Sequence, residues 1–328
     1  MRRTRRIHLA VLPVTAAALL TAGGLGTAQA QSSEGRSADS TASSAARLTN
    51  GARVDSQSAA KEVERYWTAE RMRNAIPLSD TAGTPAQDRR QQPAGKAGSV
   101  PPAAPSAGNR ADLRVTESAA VGKVFFHNPR DGKNYSCSAS ALNSASKQLV
   151  LTAGHCVHGG RGGTWMTNWT YVPRYRDGNR PFGTFSAKQL RTFNTWIDRS
   201  DLGRDVGMVT TWPLNGRKLV NVTGGHGLSW NYNRSQDITA LAYPSNKGGG
   251  KLQWYCQGRT SAAGWNLKIK CGFGPGASGG PWLRQYNNSS GLGYANGVMS
   301  TLRSDGYNES PYFDNGVKGM LDAQGGVT

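Results

Sequence analysis

From about residue 113 the chain breaks into strand-length apolar runs set apart by Gly, Asn and Pro, and that texture leaves few folds open. The runs are 121–126, 148–152, 163–172, 206–210, 236–242, 267–271 and 297–301. Strands this close together, rich in turn residues, point to an all-β barrel or sandwich. A helical pattern appears only at the end, over 313–323.

The preceding part of the chain has a different composition. Residues 31–110 are mostly Ala, Ser, Gly, Gln, Arg and Pro, while eight of the nine Trp and ten of the eleven Tyr lie after residue 110. Such a stretch buries too little apolar surface to offset its ordering entropy, and residues 31–57 read as disordered. One exception stands out. Ala59, Val63, Tyr66, Trp67, Met72 and Ile76 recur at loose helical spacing, and Pro77 closes the run. This amphipathic helix near 58–76 has nothing local to pack on. It either docks on the domain that follows or is the remnant of a propeptide. Residues 78–110, with Pro85, Pro93, Pro101, Pro102 and Pro105, read as a linker or a removable pro-segment.

The first thirty residues read as an export signal. A basic leader from Met1 to Arg6 precedes an apolar stretch, and Ala28-Gln29-Ala30 is a small-x-small cleavage site. The apolar run is short and holds Pro13, which disfavours a membrane anchor. The expected organisation is therefore a signal peptide at 1–30, a pro-segment or linker at 31–112, and a folded domain at 113–328. The expected location is extracellular.

Export sets the redox state. Cys137, Cys156, Cys256 and Cys271 are even in number and should pair. Of the three connectivities, the sequential one closes short loops and is expected. No C-x-x-C pair supports zinc, and nothing in the sequence calls for a metal or another cofactor. The net charge is +19, and residues 111–328 carry 24 Lys/Arg against 12 Asp/Glu. No basic stripe is interleaved with aromatics, so a solvated basic surface is expected rather than a specific nucleic-acid site. A monomer is expected.

Three short stretches carry chemistry. Leu149-Val150-Leu151-Thr152-Ala153-Gly154-His155-Cys156 is a strand running into a small-residue turn that ends on His155. A histidine held rigidly yet left accessible suits a general base. Gly272-Phe273-Gly274-Pro275-Gly276-Ala277-Ser278-Gly279-Gly280-Pro281 surrounds Ser278 with glycines. Such a turn points backbone N–H groups into one hollow, as acyl transfer requires for its oxyanion. Gly276 and Ser278 would supply those groups. Asp205 directly precedes the alternating run Val206-Gly207-Met208-Val209, where a buried acid can hold a histidine ring nitrogen. Each feature has a plain structural reading when taken alone.

Taken together, in the order His, Asp, Ser, these stretches resemble the signatures of the chymotrypsin-like serine proteases. The nearest likeness is to actinobacterial secreted peptidases related to glutamyl endopeptidases, over about 113–328. The resemblance implies two perpendicular six-stranded antiparallel β-barrels with the site in the cleft between them, and a short C-terminal helix. It implies catalysis by His155, Asp205 and Ser278, and a disulfide from Cys137 to Cys156 that anchors the histidine. Two departures matter. Ala277 stands where animal digestive members carry an Asp that pairs with a freshly cut N-terminus, so that activation switch is missing. Gly272 and Met299 stand where relatives carry charge-reading pocket residues, and Ser300 and Thr301 would line the same pocket. Neither an acidic nor a basic preference follows. Asp305 reads as a loop acid near the pocket.

Proteins and peptides are the expected substrates, and peptidases of this kind commonly cleave esters too. A second reading keeps the fold with little or no catalysis: a basic cell-wall or polymer-binding protein that stacks ligands on Trp165, Trp169, Trp230, Trp254 and Trp265.

Overall fold

A computed structural model describes residues 39–79, 95–106 and 117–328. The expected signal peptide lies outside them, as do most of the linker and the region around residue 112.

The N-terminal segment is ordered because it borrows partners. Thr41–Ala45 (β1) has no apolar alternation, yet it forms a five-residue antiparallel ladder with a later strand, from Thr41 opposite Phe193 to Ala45 opposite Gln189. Backbone bonding of this kind tolerates Ser and Ala, so composition did not announce it. The reading of 31–57 as disordered is corrected over residues 41–45. The helix near 58–76 is in fact two, Gln57–Tyr66 (α1) and Ala69–Asn74 (α2). They break at Trp67 because Thr68 caps the second, its hydroxyl accepting from the Arg71 N–H at 3.1 Å. Val63, Trp67 and Met72 are buried in the main core, which is the docking that an isolated amphipathic helix requires. Two short strands follow, Ile76–Pro77 (β2) and Gly98–Val100 (β3).

The first barrel is built from Val121–Asn128 (β4), Lys133–Leu142 (β5), Leu149–Thr152 (β6), Thr167–Pro173 (β7), Phe185–Phe193 (β8) and Gly207–Thr211 (β9). The order β7-β4-β5-β6-β9 is closed by β8, which pairs with both β9 and β7. Every pairing among these six is antiparallel. Closure removes free edges, and β1 and β2 attach outside it on β8 and β5. The short helices Asn194–Arg199 (α3) and Leu219–Thr223 (α4) follow β8 and β9.

The second half comprises Gly227–Trp230 (β10), Asp237–Ala242 (β11), Trp254–Arg259 (β12), Ser261–Ala263 (β13), Asn266–Ile269 (β14), Pro281–Asn287 (β15), Leu292–Val298 (β16), Thr301–Leu302 (β17) and Asn308–Ser310 (β18). They form a six-stranded sheet, β12-β11-β15-β16-β10-β3, and a four-stranded one, β13-β14-β18-β17. The two share an apolar core of Ile238, Ala240, Ala242, Leu267, Ile269, Trp282 and Met299. The C-terminal helix is Asn315–Gln324 (α5), capped by Asp314, whose carboxylate accepts from the Gly316 N–H. The expected all-β fold with a short terminal helix is the fold of this chain.

The cysteines pair sequentially, Cys137 to Cys156 and Cys256 to Cys271. Of the five tryptophans offered as a stacking surface, Trp169 is buried, Trp165, Trp230 and Trp265 are half-buried, and Trp254 is exposed, so they do not form an open platform.

Candidate active site

Register places the histidine and the aspartate. β6 and β9 run antiparallel with Thr152 opposite Gly207, so the turn leaving β6 meets the turn entering β9. His155 sits in the first of these turns and Asp205 in the second, two residues before the strand. The two side chains meet at 2.8 Å, His155 Nδ1 to Asp205 Oδ2, and both are buried. The His155 backbone N–H also donates to Asp205 Oδ1 at 2.8 Å. Gly154 makes this approach possible: a Cβ there would lie 2.9 Å from Thr192 Oγ1 and 3.0 Å from Asp205 Oδ1. Beside the imidazole, Trp196 packs at a centroid distance of 6.2 Å and sends its indole N–H to the His158 carbonyl.

Asp205 is fully buried, and burial pushes its carboxyl pKa up. That push is outweighed by the His155 charge, the His155 ring bond, the Ser300 hydroxyl at 2.6 Å and the His155 backbone N–H, so the carboxyl stays below its usual range. An acid held ionised against the Nδ1 edge keeps the ring in one orientation and favours the proton on that nitrogen. The sulfurs of Cys137 and Cys156 are bonded to each other, which leaves no thiolate pair beside His155 to hold zinc.

Ser278 lies in the loop between β14 and β15, and part of what fixes it comes from outside its own half. The Ser138 N–H of β5 donates to the Ser278 carbonyl at 2.7 Å. The Ser138 hydroxyl donates to the Gly276 carbonyl at 2.8 Å and accepts from the Tyr243 N–H at 2.8 Å. Gly279 has φ +81°, and a Cβ there would lie 2.1 Å from Thr152 Oγ1 and 2.4 Å from the Ser138 carbonyl. Only glycine fits that close approach. Gly279 and Met299 then lock the far side, the Gly279 N–H donating to the Met299 carbonyl at 2.7 Å. The Gly276 N–H donates to the Leu78 carbonyl at 2.9 Å.

No protein-family model matches the sequence, and no curated protein matches it. Solved structures do. Protease Anisep from Arthrobacter nicotinovorans superposes with a TM-score of 0.60 at 30% identity, covering 65% of this chain and 98% of that one. Serine protease AL20, from an extremophilic microorganism, gives 0.60 at 27% identity, covering 64% and 99%. A Glu endopeptidase shares the fold, with a TM-score of 0.53 at 18% identity, covering 71% and 99%. The chain belongs to the chymotrypsin-like serine proteases.

Within that protease fold the expected pocket residues take different positions. Met299 is buried, and its sulfur accepts from the Trp282 indole N–H at 3.3 Å, which turns it toward the second core. Ser300 spends its hydroxyl on Asp205. Thr301 is half-buried at the start of β17. Gly272 has φ +62° and is tied at both backbone ends, its N–H donating to the Gly306 carbonyl and its carbonyl accepting from Asn246. Asp305 is exposed beside Arg303 at 3.2 Å.

Two residues of this protease site went unnoticed in the sequence. Ser138 is the first. Asn308 is the second: buried, it accepts from the Phe273 N–H at 3.0 Å and donates to the Phe273 carbonyl at 2.9 Å. This clamps the residue after Gly272. Only the Cys137 neighbour hinted at Ser138, and nothing local pointed to Asn308.

Proposed function

We propose that this chain is a secreted serine endopeptidase. Ser278 Oγ attacks the peptide carbonyl, His155 takes its proton and later gives it to the leaving amine, and Asp205 orients the imidazole and stabilises the imidazolium. The N–H groups of Gly276 and Ser278 receive the oxyanion. The acyl group is then released from Ser278 by water, with His155 again as base. The observation that carries this reading is the buried 2.8 Å pair of His155 and Asp205 in a chain of the chymotrypsin-like family. The export leader and the two disulfides support secretion. Gly272 and Met299 offer no charge to a substrate side chain, so the residue before the cut is neutral or undemanding.

A fluorophosphonate probe tests the nucleophile. Covalent labelling that disappears in Ser278→Ala supports the reading, and a folded chain that takes no label either before or after its N-terminal segment is trimmed by proteolysis refutes it. A peptide-library digest tests the pocket, and cleavage confined to Glu, Lys or Arg would refute the neutral preference.

A further inference from the structure

We propose that Asn246 is a positioning residue that sets the choice of substrate side chain, by holding the stretch Gly272-Phe273-Gly274 as one wall of the cleft before Ser278. This role rests on the protease reading, because the stretch walls a substrate cleft only if Ser278 is the nucleophile.

From the Gly272 carbonyl to the Gly274 N–H the backbone presents four polar groups in a row, and side-chain amides take all four. The Phe273 N–H donates to Asn308 Oδ1 at 3.0 Å, and the Phe273 carbonyl accepts from Asn308 Nδ2 at 2.9 Å. The flanking two go to Asn246. Its Nδ2 donates to the Gly272 carbonyl at 2.9 Å, and its Oδ1 accepts from the Gly274 N–H at 2.8 Å. A carboxamide carries the donor and acceptor of a peptide group, so two asparagines do here what neighbouring strands do in a sheet.

The two clamps rest on different ground. Asn308 is buried on β18, whereas Asn246 is exposed on the loop between β11 and β12. Gly274 is fitted to Asn246: a Cβ there would lie 2.9 Å from Asn246 Cγ and 3.0 Å from its Oδ1. At Gly272, the position expected to face the pocket, a Cβ would meet nothing within 4 Å, so the wall borders open space.

The loop that carries Asn246 is itself tied down. Gly248, Gly249 and Gly250 have φ of +56°, +68° and +67°, a run that only glycine adopts readily. The Gly250 carbonyl accepts from Nζ of the buried Lys123 on β4 at 3.0 Å. The Ser245 N–H donates to the Pro275 carbonyl at 2.8 Å, one residue before Gly276. The wall is therefore fixed to the first barrel through Asn246 and keeps its place. A side chain that fills the pocket depends on that placement, and a glycine in the substrate does not.

The test uses the secreted chain in the form that takes the fluorophosphonate label. Two peptides differ only at the residue before the cut, one with the residue preferred in the library digest and one with glycine. Asn246→Ala frees the Gly272 carbonyl and the Gly274 N–H together. The ratio of kcat/KM between the two peptides should fall about tenfold, the effect of losing one or two such bonds, with the change carried by KM for the preferred peptide. Melting temperatures of the same samples should differ little, since Asn246 is exposed. An unchanged ratio overturns the role. So does an equal fall in kcat for both peptides, which would make Asn246 a brace for the whole loop, and so does a digest with no preference at all. If the unaltered chain takes no label in any form, the protease reading itself falls and the role of Asn246 falls with it.

Discussion

The two halves of this protease hold the residues of the candidate site by different means. In the first barrel, His155 and Asp205 are set by the register of two paired strands, so their geometry follows from a closed sheet. In the second half, Ser278 stands on a loop whose position is borrowed, through Ser138, from the first barrel. The pair is thus set within the first barrel, with Ser300 of the second half as a further partner of Asp205, whereas the proposed nucleophile is placed by contacts from both halves. Substitutions at the pair should change chemistry and spare the fold. Substitutions at the loop supports should change geometry and stability together.

The largest effect is expected at the pair. Asp205→Asn leaves the shape intact but donates where it should accept, and kcat should fall about 10⁴-fold with the melting temperature little changed. Kinetics and calorimetry on the same sample decide this, and a comparable loss of stability would place Asp205 in the fold rather than the chemistry.

Gly279→Ala comes next, since its Cβ would overlap Thr152 and the Ser138 carbonyl. Displacing the loop by about 1 Å should lower kcat roughly 10²-fold and also lower the melting temperature. Unchanged activity would mean that the loop is not held from the first barrel.

The seam between the halves can be probed by acid. His226 begins at the Leu142 bridge, its N–H donating to the Ala141 carbonyl and its Nδ1 accepting from Gly293. Burial lowers its pKa from 6.5 to about 3. Because the folded value lies below the unfolded one, unfolded chain takes up the proton first. The stability it contributes is therefore complete above about pH 6.5 and erodes as the pH falls toward 3. By pH 4 the loss should reach about 3 kcal/mol. Thermal melts of His226→Asn between pH 7 and pH 4 should show a shallower decline than those of the unaltered chain.

The smallest effect is expected from Ser138→Ala. It removes the hydroxyl between Gly276 and Tyr243 but keeps the backbone bond to Ser278. A loss of about tenfold in kcat and about 1–2 kcal/mol in stability is expected, measured by steady-state kinetics and denaturant titration. A drop in kcat alone would show that the hydroxyl aims the loop without bracing it.

What could be read from the chain follows the same division. The turns around His155 and Ser278 were legible because each is a local run of small residues, and the aspartate because it heads an alternating strand. The supports were not, because they act across the sequence: Ser138 and Gly276 are 138 residues apart. β5 was also missed as a strand, since Ser136, Ser138 and Ser140 alternate with the small Cys137, Ala139 and Ala141, so that both buried faces lack large apolar residues. β1 was missed because Ser and Ala say nothing about a neighbour that only the folded barrel provides. Low complexity marked residues 31–57 as unable to build a core, which differs from being unable to join one.

The Ser300 hydroxyl on Asp205 also bears on timing during synthesis. The carboxylate's last partner in chain order belongs to a stretch made after β15 and β16. A nascent or truncated chain that already contains His155, Asp205 and even Ser278 still lacks it. A chain that stops before Ser300 therefore holds the Asp205 carboxylate with one hydrogen bond fewer.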